Sequence, residues 1–129
     1  MKQYTANYID TFIETAPDCP VKSGVVPPDK TPKTIARQEY DMLSENPYRY
    51  TSDDIIYAIK GAPKGTDRET FFSRGQPCFR ASALTRRYGW GVHSDFEGKI
   101  ALYAADSDEY KNLSEDKNTK HVRAMRTGK

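Results

Sequence analysis

The spacing of apolar residues changes along the chain, and these changes predict a series of short helices and strands. Residues 7–16 are rich in β-branched and aromatic side chains and predict a strand. A helix is predicted to begin at Thr31 and Pro32, since a capping hydroxyl precedes proline at the first helical position. It ends at Asn46, before Pro47. Its apolar positions recur at helical spacing: Ile35, Ala36, Tyr40 and Leu43.

The apolar run at residues 55–59 has two interpretations. Its five consecutive apolar residues favour a buried strand, which is the interpretation we adopt. Thr51 and Asp54 have the spacing of a capping box, so a helix is the alternative. A second box of the T-x-x-E type, starting at Thr66, predicts a short helix that ends at Gly75.

The centre of the chain predicts a helical turn followed by a hairpin. Ser82 is a suitable N cap, and Gly89 supplies the left-handed residue that stops such a turn. Residues 90–93 and 99–105 then form two apolar runs around a Gly-containing turn. Strand, turn and strand in this order are typical of a β-hairpin.

The remaining elements complete a fold class. Asp106 or Ser107 caps a last helix through Leu113, and residues 122–125 are compatible with a last strand. Residues 17–32 hold five prolines and predict a long ordered loop. We therefore expect α+β: one compact domain over residues 1–129, with an antiparallel sheet and short helices.

Composition supports a folded domain with a small core. Leu, Ile, Val and Phe together make up less than a fifth of the chain, which is a low share. Nine Tyr and one Trp supply further apolar area, because each aromatic ring buries a large surface. The net charge is only +2, so no strong field steers the protein toward nucleic acid or acidic membranes.

Location and partners follow from the same features. The first ten residues contain no apolar signal segment, and no run reaches the length of a membrane span. We expect a cytoplasmic protein without membrane attachment, with Cys19 and Cys78 reduced. Residues 117–129 form a basic C-terminal segment. Together with Arg86 and Arg87 it makes weak nucleic-acid binding an alternative. No nucleic-acid motif supports this alternative, so nucleic acid is not the partner we expect.

The segment LTRRYGWGVH, residues 84–93, is the densest group of site-forming residue types. Arginine binds carboxylates and phosphates and stacks on aromatic rings. We therefore expect a concave site for a small anionic ligand, or a contact surface for a protein partner, without catalysis and without a cofactor. The candidate ligand-binding residues are Gln76, Arg80, Arg86, Arg87, Tyr88, Trp90 and His93.

The same segment also has a purely structural interpretation. Gly89 ends a helix, and the arginines before it lie where cations favour the negative end of the helix dipole. Tyr88 and Trp90 flank the turn and can pack on the sheet. Gly91 permits a bulge or a close backbone approach.

Two further chemistries involve the cysteines. Cys78 is the best candidate nucleophile, with Arg80 to lower its pKa and His93 as base, so a cysteine-dependent enzyme is the second alternative. A zinc site would need Cys19, Cys78, His93 and His121. Their gaps are far wider than the close pairs of known zinc sites, so we expect no metal.

Several blocks of sequence resemble a known family. They are NYIDTFIETAPDCP, ENPYRYTSDD, FFSRGQPCFRAS, LTRRYGWGVH and GKIALYAADSDEYKNL, followed by VRAMR near the end. In this order they are similar to a family of small, single-domain, uncharacterised bacterial proteins, a domain of unknown function. The resemblance covers nearly the whole chain. It implies a bacterial, cytoplasmic, stand-alone domain, and it implies no activity or catalytic residue.

Overall fold

Four strands form one mixed sheet in the computed structural model, which describes residues 2–127. The strands are β1 (Thr11–Glu14), β2 (Trp90–Ser94), β3 (Ile100–Ala104) and β4 (Lys120–Arg123), and their order in the sheet is β3-β2-β1-β4. The strand predicted at residues 7–16 is present but shorter, at Thr11–Glu14, and β2 and β3 form the predicted hairpin. The α+β class and the single domain are confirmed.

The sheet differs from the expected all-antiparallel arrangement at one edge. β1 pairs antiparallel with β2, and β2 pairs antiparallel with β3. β4 instead runs parallel to β1, with Ile13 opposite Val122. The chain leaves β3, forms a helix and returns to the far edge, and such a long connection lets a strand enter in either direction.

Within residues 2–127 the structure contains five short α-helices. They are α1 (Ile35–Glu45), α2 (Ser52–Ile56), α3 (Arg68–Phe71), α4 (Ala83–Arg86) and α5 (Asp108–Glu115). A π-helical turn, Tyr57–Gly61, directly follows α2, and a 3-10 turn, Phe79–Ala81, precedes α4. Helices this short depend on tertiary packing and on their caps, because isolated turns are marginal in water.

The core lies between one face of the sheet and the helices α1, α2 and α4. Paired residues share a face, so Ile13, Val92 and Leu102 all point to this side. Leu43 of α1 and Leu84 of α4 complete the same buried cluster. The apolar stripe predicted for α1 therefore faces the sheet.

The opposite face of the sheet is covered by α5. The rings of Phe12 and Tyr110 meet edge to face, with centroids 4.9 Å apart. Gly91 lies beneath them, and a Cβ there would stand 2.7 Å from atoms of both rings. The predicted close backbone approach at Gly91 is therefore present.

The strand predicted at residues 55–59 is wrong, and the alternative helix is correct. Thr51 Oγ accepts a hydrogen bond from the Asp54 amide, and the Asp54 carboxylate accepts one from the Thr51 amide. This box starts α2, which buries Ile55 and Ile56 against the core. A five-residue apolar run fits either element, and here the satisfied cap determines the outcome.

Other helix starts agree with the sequence to within a few residues. Ser82 caps α4 and Ser107 caps α5, as predicted. α1 is capped by Thr34 rather than Thr31, and α3 by Asp67 rather than Thr66. Neighbouring hydroxyls and carboxylates compete for each cap, so the sequence alone locates a helix start only approximately.

The proline-rich residues 17–32 contain no helix or strand. Two hydrogen bonds hold this loop against the start of β2. Trp90 Nε1 donates to the Val25 carbonyl at 2.8 Å, and the Val25 amide donates to the Tyr88 carbonyl at 2.8 Å. The loop is therefore tied to the hairpin by its middle.

Candidate functional site

The segment LTRRYGWGVH is a helix end that turns into a strand, as its structural interpretation predicts. Gly89 has φ of 78° and separates α4 from β2. A Cβ at this position would collide with the Ser23 carbonyl of the proline-rich loop. Gly89 is therefore required both for its left-handed conformation and for the close approach of this loop.

Two of the candidate arginines bind the basic C-terminal segment. Arg80 Nε donates to the Arg123 carbonyl at 2.7 Å, and Arg86 Nη2 donates to the Arg126 carbonyl at 2.9 Å. Arg87 is exposed. The structure therefore places these arginines at separate positions, two of them engaged with backbone carbonyls. The basic segment 117–129 is described through Thr127, and Lys129 lies outside the described residues.

His93 and Cys78 are not brought together. His93 pairs with Phe12 on the face that α5 covers, and a 2.8 Å hydrogen bond joins its Nδ1 to Tyr48 Oη. Cys78 packs against the core cluster on the other face. The sheet separates the two side chains, so this arrangement offers no Cys–His pair. Tyr88 and Trp90 hold the proline-rich loop through their hydrogen bonds with Val25.

A chain of hydrogen bonds surrounds His93. Tyr48 Oη is 2.8 Å from both His93 Nδ1 and Tyr103 Oη. Burial lowers the pKa of His93, although the carboxylates of Asp95 and Asp10 act in the opposite direction. Burial and the bond to Tyr103 raise the pKa of Tyr48. Neutral imidazole and neutral phenol are therefore the stable forms in this network.

Gln76 and Cys78 lie where three cavities meet. The largest, of about 520 Å³, includes Gln76 and Lys60 on its wall. A second, of about 240 Å³, includes Cys78 and Lys60. The third, of about 350 Å³, includes Gln76, Cys78 and Tyr8. Because they share wall residues, the three cavities are neighbours, and we call them together one branched depression between α1, the π-helical turn and residues 76–83.

The 520 Å³ branch, which we call the Lys60 groove, combines an apolar wall with polar groups. Its apolar wall is formed by Ile35, Ile59 and Phe71. Lys60 and Lys64 provide two cations, and the carboxamides of Gln38 and Gln76 also line it. Lys60 is held by the π-helical turn, a rare conformation that occurs frequently at functional sites.

The 240 Å³ branch, which we call the Glu39 chamber, contains a buried carboxyl group. Glu39 is 5% exposed, and Ser82 Oγ donates a 2.6 Å hydrogen bond to its Oε1. Burial raises the pKa of Glu39 to about 7, against the opposing effects of Ser82 and the charge of Lys60. A buried carboxyl with a raised pKa inside a cavity is a feature of functional sites.

The third branch brings Tyr8 to Cys78. Tyr8 Oη and Cys78 Sγ are 3.5 Å apart. Burial and the contact with Cys78 raise the pKa of Tyr8, and the guanidinium of Arg80 partly offsets them. Of the candidate residues, Gln76 and Cys78 line this depression, and Arg80 lies close enough to Tyr8 to affect its pKa.

Sequence reasoning missed Glu39, Lys60 and Lys64. Glu39 carried a usable signal, because it lies on the buried stripe of α1 between Ala36 and Leu43. A charged residue within an apolar stripe indicates either a partner or a site. The lysines carried no such signal, since only the tertiary fold places them beside Gln76.

A fourth cavity, of about 330 Å³, lies near Cys19 and Tyr110 at the other end of the sheet. Two of its polar side chains, Tyr110 and Glu14, already have partners within the protein. Tyr110 Oη accepts a hydrogen bond from the Thr15 amide at 3.0 Å, and Glu14 lies 3.4 Å from His121. Among residues 2–127, no three side chains of the His, Cys, Asp and Glu types gather where they could hold a metal ion.

The fold and the depression define a class: an α+β domain with one branched, lysine-lined groove beside a mixed sheet. The chain belongs to a family of unknown function, DUF6157, whose model matches residues 1–129. No curated protein and no solved structure matches the chain. None of the helices within the described residues has the length and apolar character needed to cross a membrane.

Proposed function

We propose that this protein is a non-enzymatic binding domain for a small anionic ligand with an apolar body, and that the Lys60 groove is its site. The observation that carries the proposal is the pairing of two lysines with a wall of Ile35, Ile59 and Phe71 in a single cavity. Small-molecule sites are concave and mostly apolar, with a few polar groups that set orientation.

The charges of the groove favour a carboxylate over a cation or a neutral ligand. Lys60 and Lys64 are the charged residues on its wall, and both are cationic. Each lysine is a point charge with rotatable donors, which suits an anion that enters from solvent. The carboxamide nitrogens of Gln38 and Gln76 each donate one hydrogen bond to a backbone carbonyl, and each keeps a second N–H for a ligand.

The apolar wall indicates that the ligand has an apolar body beside its carboxylate. Phe71 packs edge to face with Tyr57 at 5.7 Å, so its ring is held in place at the groove. Burial of a ligand's apolar body contributes about 25 cal/mol per Å² removed from water. An inorganic anion gains nothing from this wall, whereas an aromatic or aliphatic carboxylate does.

Thermal-shift titrations test the proposal with three probes: 3-phenylpropanoate, hexanoate and inorganic phosphate. A ligand that binds the folded state raises the unfolding midpoint, and above Kd the increase grows with the logarithm of the ligand concentration. We expect concentration-dependent increases with both carboxylates and a smaller effect of phosphate. Unchanged midpoints with both carboxylates, at millimolar concentrations, would contradict the proposal.

A cysteine-dependent enzyme stays the alternative, because Cys78 lines two of the three branches. Both cysteines are free thiols, which is compatible with the cytoplasmic location that the sequence leads us to expect. Bacterial origin stays an expectation from the family resemblance. Rapid alkylation of Cys78 by iodoacetamide at neutral pH, with Cys19 as the internal reference, would favour this alternative.

Nucleic acid and a protein partner complete the alternatives. Arg80 and Arg86 donate to backbone carbonyls of the C-terminal segment, which leaves fewer of their donors for phosphates. Binding to an oligonucleotide that weakens steeply with added salt would favour nucleic acid as the partner.

A further inference from the structure

The Glu39 chamber is lined by a carboxyl group and an amino group that do not form an ion pair with each other. Glu39 and Lys60 both line it. Within residues 2–127 the ion pairs closer than 4.0 Å do not include this pair, although the charge of Lys60 does act on Glu39. The two side chains therefore face one cavity with a gap between them.

The Glu39 carboxyl is only partly satisfied by the protein. In the part of the chain that the structure describes, its side chain has one hydrogen bond, to Oε1 from Ser82. An ionised carboxylate accepts at two oxygens and is costly to bury without a cation. Its second oxygen can therefore take a donor that arrives with a ligand.

Lys60 lines both the chamber and the Lys60 groove, and Ile35 does so as well. Since Glu39 and Lys60 both line the chamber, we take a molecule at this junction to contact both of them. Its remaining part extends along Ile59 and Phe71 into the larger branch. The junction thus offers an anion, a cation and an apolar wall to one small molecule.

We propose that the ligand is a zwitterionic amino carboxylate with an apolar side chain. This inference rests on the proposed function of the Lys60 groove. Its ammonium binds Glu39, its carboxylate binds Lys60, and its side chain packs on the apolar wall. An ammonium suits Glu39 better than a hydroxyl, because a buried carboxylate needs a compensating positive charge. Burial raises the pKa of Glu39 to about 7, because the hydrogen bond from Ser82 and the charge of Lys60 offset only part of the cost of desolvation.

The test compares L-phenylalanine with 3-phenylpropanoate, which has the same ring and carboxylate but no amine. Both are titrated calorimetrically at about pH 8 into the full chain. Because a charge-assisted bond is added, we expect L-phenylalanine to bind at least roughly tenfold more tightly. The Glu39→Gln variant should lose this preference. Glu45→Gln, which removes an exposed carboxylate from the end of the same helix, should keep it.

The outcomes separate this inference from the proposed function. Equal affinity of the two probes, or a preference that survives in Glu39→Gln, overturns the recognition of an amine by Glu39 and leaves the carboxylate site standing. Binding of neither probe overturns both proposals. The comparison on the unaltered protein decides the matter even if Glu39→Gln fails to fold.

Discussion

Ser82 Oγ donates a 2.6 Å hydrogen bond to Glu39 Oε1, which joins the first turn of α4 to the middle of α1. The same Ser82 Oγ accepts a hydrogen bond from the Leu84 amide at 3.0 Å, as the N cap of α4. A single hydroxyl therefore both starts a helix and fixes the buried carboxyl of the Glu39 chamber. The charge state of Glu39 consequently affects the fold as well as the site.

Replacing Glu39 by Gln should change the pH dependence of stability. The folded state raises the pKa of Glu39 from 4.5 to about 7, so it holds the proton more tightly than the unfolded chain in this window. The free energy of unfolding of the unaltered protein therefore falls as pH rises from 4.5 to about 7, by about 3 kcal/mol from this group. Glu39→Gln lacks this loss.

Urea unfolding of the unaltered protein and of Glu39→Gln, at pH 4.5 and at about pH 8, measures this pH dependence of stability. The other titrating groups are shared, so they cancel in the difference between the two proteins. Relative to the unaltered protein, Glu39→Gln should therefore have a higher free energy of unfolding at about pH 8 than at pH 4.5. A difference that stays constant with pH would contradict the raised pKa of Glu39.

Gly89→Ala should destabilise the protein more than Gly65→Ala. Both glycines have left-handed φ, 78° and 73°, so the conformational cost of alanine is similar, about 1 kcal/mol. A Cβ at Gly89 also collides with the Ser23 carbonyl, whereas one at Gly65 has no neighbour within 4 Å. We expect about 3 kcal/mol or more for Gly89→Ala. Chemical denaturation of the two variants compares them, and equal losses would refute the close approach of the proline-rich loop.

Arg86→Met should loosen the C-terminal segment, and Arg87→Met should not. Arg86 donates to the Arg126 carbonyl, whereas Arg87 is exposed. Loss of about 1 kcal/mol of local stability corresponds to roughly fivefold faster exchange of the Ala124 and Met125 amides. Hydrogen exchange followed by NMR measures these rates. The same acceleration in both variants would show that the 2.9 Å contact contributes nothing specific.

His93 should titrate below its ordinary value of 6.5 in the folded protein, because burial lowers its pKa. Its contribution to stability is therefore fully present above pH 6.5 and is lost as pH falls below that value toward the folded pKa. The imidazole proton shifts in NMR spectra report the midpoint, and His121→Gln assigns the two histidines. A midpoint at or above 6.5 for His93 would be inconsistent with its burial.

The fold was predictable where a local signal was unambiguous. Ser82, Ser107 and Gly89 mark their elements because capping and left-handed turns depend on one residue and its neighbours. The run at residues 55–59 was not, because a short apolar run fits a strand or a helix equally well. The parallel pairing of β4 with β1 depends on contacts far apart in sequence.

The site was predictable only in part. Gln76 and Cys78 do lie at the depression, while Arg80 and Arg86 are near one another in sequence and bind separate carbonyls. Candidate residues that are close together in sequence are therefore not all close together in the folded protein. Lys60 reaches the site from the π-helical turn, a conformation that periodicity does not predict.

Calorimetric titration of 3-phenylpropanoate into the unaltered protein, Lys60→Met and Lys111→Met tests the central claim most directly. Lys60 lines the groove, whereas Lys111 is exposed on α5 at the opposite face of the sheet. We expect saturable binding that weakens at least roughly tenfold in Lys60→Met and is unchanged in Lys111→Met, with thermal melts confirming that both variants fold. Equal affinity in all three proteins, or no binding to the unaltered one, would contradict the Lys60 groove as a site for anionic ligands.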